Sequence, residues 1–103
     1  MQVDVNVILL DFDSKQIILR DPDTKEQEPL SLRKACIEAL NALNLPGDNL
    51  DGEEKLKRFQ LALRIASTSP VELADEERVK IKQLVGKMYS PIVVGRVHEL
   101  LTS

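Results

Sequence analysis

The chain opens on alternation. Val3, Val5 and Val7 are apolar, with Asp4 and Asn6 between them. That period of two predicts a strand with one buried face. The run turns continuously apolar through Ile8, Leu9 and Leu10, breaks at Asp11-Phe12-Asp13-Ser14-Lys15, and resumes as Ile17-Ile18-Leu19. A hairpin of two strands over residues 1–20 is the economical reading. A lone hairpin is marginal in water and must pack on something. Residues 21–30 are polar and contain Pro22 and Pro29, so they read as a connector.

From residue 31 the apolar period becomes that of a helix. Ser31 can cap a helix running to about Asn44, with Cys36, Ile37, Leu40 and Leu43 on its inner face. Leu45-Pro46-Gly47-Asp48-Asn49 stops it. Asp51 followed by Glu54 is the arrangement of a capping box. The spacing then sets Leu56, Phe59, Ala62, Leu63 and Ala66 on one face, with Lys55, Arg58 and Arg64 outside it. Ser67-Thr68-Ser69-Pro70 ends this second helix.

A third helix starts near Asp75, where Glu76 and Glu77 suit the positive end of the helix dipole. Its inner face is Ile81, Leu84, Val85 and Met88, with Val79 half-buried beside it. Ser90 and Pro91 then start a fourth: a hydroxyl able to cap, and a proline where no N–H is needed. Val93, Val94, Val97, Leu100 and Leu101 form its stripe. The expected fold is α+β and mainly α, one domain over 1–103. An N-terminal β-hairpin (1–20) and a connector (21–30) precede a compact bundle of about four amphipathic helices (31–103).

Composition narrows the core. Apolar residues make up 43% of the 103, enough for one packed core, yet aromatics are 3%, so the core must be aliphatic. Few aromatics also argue against stacking surfaces for single-stranded nucleic acid. Net charge is −3, split as −5 over residues 1–52 and +2 over 53–103, a gradient that solvated helix faces account for. Cys36 is the only cysteine, which excludes an intrachain disulfide and a multi-cysteine zinc site and fits a reducing compartment. The apolar run at residues 7–10 is too short for a signal peptide, and no run approaches membrane-spanning length. A cytoplasmic location in a bacterial host cell is expected, with no membrane association.

Several patterns invite a chemical reading. An apolar strand ending in Asp11-Phe12-Asp13 resembles the first motif of the haloacid-dehalogenase phosphotransferases, in which the first aspartate is a nucleophile. Lys15 departs from that motif, and the chain has no room for the doubly wound core it needs. The competing reading is a turn built by acidic side chains on their own backbone. Neither Asp21-x-Asp23-x-Lys25 nor Asp11-x-Asp13 completes a calcium loop. His98, the only histidine, reads as a residue at the edge of the core, and Cys36 as a small apolar core residue. No catalytic residue, cofactor or metal ligand is therefore assigned, and the chain is not expected to be an enzyme.

The third and fourth helices (residues 75–101) superficially look like a helix-turn-helix, with Arg78, Lys82, Lys87 and Arg96 as candidate DNA-binding residues. Acidic net charge and the aliphatic run Ile92-Val93-Val94 weigh against a groove-reading helix. Nucleic acid is thus an unlikely partner, and a small DNA-binding regulator is the alternative reading only.

Three segments carry a resemblance to known proteins. They are Glu28-Pro29-Leu30-Ser31-Leu32, then Gly52-Glu53-Glu54-Lys55-Leu56-Lys57-Arg58-Phe59, then the stretch from Leu84-Val85-Gly86-Lys87-Met88-Tyr89-Ser90-Pro91 to Leu101. In this order the chain resembles small proteins encoded by tailed bacteriophages and prophages, with Ala74 as a departure where Ser or Thr would cap the third helix. The resemblance implies a non-enzymatic accessory protein that works by protein–protein binding, in particle assembly or in redirecting a host protein. It brings no catalytic residue with it. Free strand edges on short hairpins also allow a homo-oligomer.

Overall fold

The computed structural model describes residues 1–20, 27–43, 45–48 and 50–102. In chain order the elements are β1 (Gln2–Val3), β2 (Ile18–Arg20), β3 (Gln27–Pro29), α1 (Leu32–Asn41), α2 (Gly52–Ser67), β4 (Val71–Glu72), α3 (Asp75–Met88) and α4 (Pro91–Leu101). This is the α+β, mainly α architecture that the sequence predicts.

The strands pair differently from a simple hairpin. β1 lies antiparallel to β4, with Gln2 opposite Glu72 and Val3 opposite Val71. β2 lies antiparallel to β3, with Ile18 opposite Pro29 and Arg20 opposite Gln27. Part of the expected connector is therefore a strand, and residues 21–26 fall outside the described residues. A short hairpin survives between these sheets: Leu10 bridges Gln16, and Ile17 N–H donates to Leu9 O at 3.0 Å. Leu9 N–H donates to Leu30 O (2.8 Å) and Leu30 N–H to Ile17 O (2.7 Å), which ties the hairpin to the start of α1. The physical reason is burial. Val3, Val5, Leu9 and Leu30 all sit in the core, and a two-stranded ribbon alone could not cover them.

Helix starts follow their caps. Ser31 accepts from Lys34 N–H at 3.1 Å, and Asp51 accepts from Glu54 N–H at 2.8 Å. Ala74 has no side-chain oxygen, but Glu77 reaches back to accept its N–H at 2.9 Å, half of a capping box. Ser90 occupies the N-cap of α4 without a side-chain cap bond, so the start there rests on Pro91 at the first helical position. α1 ends at Asn41, earlier than its apolar pattern suggests, and Leu43 beyond it is 64% exposed.

The core is aliphatic throughout. α1 contributes Leu32, Ala35, Cys36, Ala39 and Leu40; α3 contributes Ile81, Leu84 and Val85; α4 contributes Val93, Val97 and Leu101. Val94 and Leu100 are half-buried at its margin, and Met88 and Val79 are exposed. α1 packs between α2 and α3, and α3 packs on α4.

α2 reverses the expected face. Leu61 and Ile65 are buried and Ala62 is half-buried, whereas Leu56, Phe59, Leu63 and Ala66 point to solvent. Arg58, assigned from sequence to the outer side, is 6% exposed. The helix carries apolar residues on two nearly opposite faces, and helical spacing alone does not say which one meets the domain.

Candidate functional site

The outward face of α2 starts at a firm N-terminus. Asp51 caps it, and Glu53 and Glu54 stand in its first turn with Arg64 in its last. Along that face Leu56, Phe59 and Leu63 are 55%, 60% and 54% exposed. One flank holds Lys55 and Ala62, the other Glu53, Lys57 and Gln60. On the Lys55 side the stripe runs into a groove of about 240 Å³ lined by Ile37, Leu40, Leu43, Leu50, Phe59 and Ala62, with Asn41, Ala42, Lys55 and Arg58 at its margins. Phe59 belongs to both, so stripe and groove form one continuous apolar surface. Contiguous exposed apolar surface of this kind marks an interaction site, a ligand groove or a patch prone to aggregation.

Arg58 fixes the floor beneath this surface. Its Nη1 and Nη2 each donate to a carboxylate oxygen of Asp48 at 2.8 Å, and its Nε donates to Glu54 Oε1 at 3.1 Å. Lys80 reaches the same Glu54 oxygen from α3 at 2.7 Å. The Asp48 and Arg58 side chains are 8% and 7% exposed. The hydrogen bond from Arg58 holds the Asp48 carboxyl below the usual carboxylate range, against the opposing pull of desolvation. The hydrogen bond from Lys80, then that from Arg58, does the same for Glu54. Gly47, at φ +70°, makes the tight turn that carries Asp48 under α2.

The residues with catalytic potential are used by the fold. Asp11 Oδ1 accepts from Asp13 N–H (2.8 Å) and Lys15 N–H (3.0 Å), and Ser14 takes φ +61° to close the turn. The Asp11-Phe12-Asp13 segment is a self-bonded turn with Phe12 exposed at its tip. Cys36 is fully buried in α1, and burial pushes its thiol up to about 12. His98 lies on the exposed face of α4 rather than at the edge of the core. Among the described residues no group of three or more His, Cys, Asp and Glu side chains is placed to hold a metal ion.

The four candidate DNA-binding residues are scattered in their engagements. Arg78 donates to Leu101 O at 3.0 Å and pairs with Asp75, and Lys82 donates to the Thr102 hydroxyl at 2.9 Å. Both reach from α3 to the end of α4. Arg96 points the other way: Nε donates to Leu10 O (2.8 Å), Nη2 to Asp11 O (3.1 Å), and Nη1 meets Glu99 (3.2 Å). It fastens α4 to the N-terminal hairpin. Lys87 is exposed at the end of α3 and faces Gly47 and Asp48. The outward face of α4 carries Gly95, His98 and Glu99, and a chain of two residues, Tyr89 and Ser90, joins it to α3.

Comparison with protein-family models, with curated proteins and with solved structures finds no match.

Proposed function

We propose that this chain is a small non-enzymatic accessory protein, of the phage or prophage type its sequence resembles, that acts by binding another polypeptide through α2. The observation that carries this reading is the exposure of Leu56, Phe59 and Leu63 on one helix face, continuous with the groove beside α1. Leaving three large apolar side chains in water forfeits the stabilisation their burial would bring, and a partner surface recovers it. Phe59 at the centre has the character of an interface anchor: a large, rigid ring beside a recess. Particle assembly and the redirection of a host protein are both actions that such a surface serves. The engagement of Asp11 in its own turn and of Cys36 in the core supports a binding role over a catalytic one.

The test is photo-crosslinking in cells. A benzophenone amino acid replaces Phe59, or Gln83 on the exposed face of α3 as the control. Position 59 is expected to give a discrete adduct with a polypeptide and position 83 none. Absence of any polypeptide adduct at position 59 sinks the reading.

A further inference from the structure

We propose that Asp51 and Gly52 form a self-modification site, at which the aspartate isomerises to isoaspartate through a succinimide and the change lastingly unfastens the start of α2. The proposal stands apart from the protein-binding reading.

The chemistry needs only these two residues and water. The Gly52 amide nitrogen attacks Asp51 Cγ. The amide proton leaves with one carboxyl oxygen and its proton as water, which closes a five-membered succinimide. The ring then takes up one water. Opening at Cγ restores the aspartate. Opening at the other carbonyl leaves the main chain running through the Asp51 side-chain methylene, with the former backbone carbonyl as the free carboxylate. A side chain on the following residue obstructs the attack, so glycine is the favourable neighbour. Among the aspartates and asparagines of the chain, Asp51 is the one that glycine follows. Both residues are exposed, and nothing lies within 4 Å of where a Cβ on Gly52 would stand. Gly52 is the first residue of α2, so its N–H has no carbonyl partner within the helix.

The fold sets the rate. The Asp51 carboxylate accepts from Glu54 N–H at 2.8 Å. Closing the ring requires the carboxyl to give up that bond and turn onto the Gly52 nitrogen. The reaction therefore runs through openings of the first turn, and helix ends are where such openings cost least. The product then cannot close the turn again. Asp51 supplies two bonds to the helix start, its carboxylate to Glu54 N–H and its carbonyl to Lys55 N–H at 3.0 Å. An extra methylene in the main chain displaces both acceptors. Glu54, which loses its cap, is the residue that holds Arg58 and Lys80. A passing opening becomes a lasting one where α2 is joined to α3.

The test holds three samples at body temperature and mildly acid pH for several weeks: the native chain, the chain in guanidinium chloride, and Gly52→Ala in guanidinium chloride. Each is digested and mapped by isoaspartyl methyl transfer and electron-transfer fragmentation. Isoaspartate is expected at position 51 ahead of every other aspartate. It should form at least tenfold faster in denaturant than in the native chain, and at least tenfold slower in denatured Gly52→Ala than in the denatured parent. The modified chain, separated and returned to native buffer, should exchange amides 52–56 faster than the unmodified chain and lose as much of its urea midpoint as Asp51→Ala does. Isoaspartate no more abundant at Asp51 than at Asp13, which precedes Ser14, overturns the site. Equal rates in native and denatured chains overturn the control by the cap. A modified chain with unchanged exchange and midpoint overturns the unfastening.

Discussion

Arg58 and Asp48 form a two-pronged ion pair beneath α2, each guanidinium nitrogen donating to its own carboxylate oxygen at 2.8 Å. The pair joins the turn before α2 to the helix itself. Through Glu54 and Lys80 it extends to α3. The guanidinium lies on the inner face of α2 with Leu61 and Ile65, and Leu56, Phe59 and Leu63 lie on the opposite, outward face. Removing Arg58 leaves the Asp48 carboxylate without its two-pronged partner, while Glu54 keeps Lys80. Arg58→Ala is therefore expected to lower the urea midpoint well below that of Lys57→Ala, which changes an exposed neighbour on the same helix. Arg58→Lys should recover little of the loss, since an ammonium cannot make the paired contact. Equal midpoints for Arg58→Ala and Lys57→Ala would show that the pair contributes nothing to stability.

Acid should act through the same cluster. Asp48 and Glu54 both have folded pKa values below those of the unfolded chain, because Arg58 and Lys80 favour their charged forms. A depressed carboxylate contributes stability that is fully present above its unfolded pKa, near 3.8 for Asp48 and 4.5 for Glu54. That contribution is lost as pH falls from there through the folded values. Stability from urea titrations should thus be flat on this account down to about pH 5 and then drop. In Asp48→Asn the acid-side drop should be shallower. An unchanged slope in that variant would remove Asp48 from the explanation.

The fourth helix should be part of the domain. Val97 is fully buried between Val93 and Leu101 on the inner face of α4. Val97→Ala is expected to cost about 1–3 kcal/mol, the transfer term of the lost methyl groups plus the cavity left behind. Val97→Asp should cost more, because it buries a carboxylate. Urea unfolding at constant m-value checks both, and unchanged midpoints would contradict the packing.

Cys36 should be inert while the chain is folded. It is buried in α1, and burial keeps its thiol protonated, with a pKa near 12. Reaction with an aromatic disulfide reagent at pH 8 should proceed only as fast as the protein opens. Its rate should rise with urea in step with unfolding. Stoichiometric labelling within seconds in native buffer would show that α1 is less protected than its burial implies.

Arg96 should act as a fastener. Its guanidinium holds the carbonyls of Leu10 and Asp11 against α4. Arg96→Ala is expected to speed amide exchange at residues 7–17 selectively, with a smaller effect on α2. In a gel-shift titration at physiological salt, neither wild type nor this variant is expected to form a complex below roughly 1 µM, the tight end of non-specific binding. A discrete, sequence-dependent complex lost in Arg96→Ala would assign that arginine to DNA instead.

What the sequence determined by itself is local. Ser31 and Asp51 at their caps, the start at Asp75 and the Pro91 entry to α4 are each settled by a side chain and a backbone within a few residues of it. The same holds for the Asp11 turn, whose side-chain carboxylate bonds only to backbone N–H groups within five residues. The stripes of α3 and α4 were legible because each of those helices has a single dominant apolar face. Tertiary structure decided everything that depends on a choice between partners. Two opposite faces of α2 have helical spacing, and only the packing of the helix against α1, with Arg58 meeting Asp48 ten residues away, settles that Leu61 and Ile65 turn inward while Leu56, Phe59 and Leu63 turn out. The pairing of β1 with β4, across about seventy residues, has no local signal at all, since two short strands carry too few side chains to name their partner. The candidate surface was read from sequence as core because spacing reports that a face is apolar. What covers that face is a property of the packed chain.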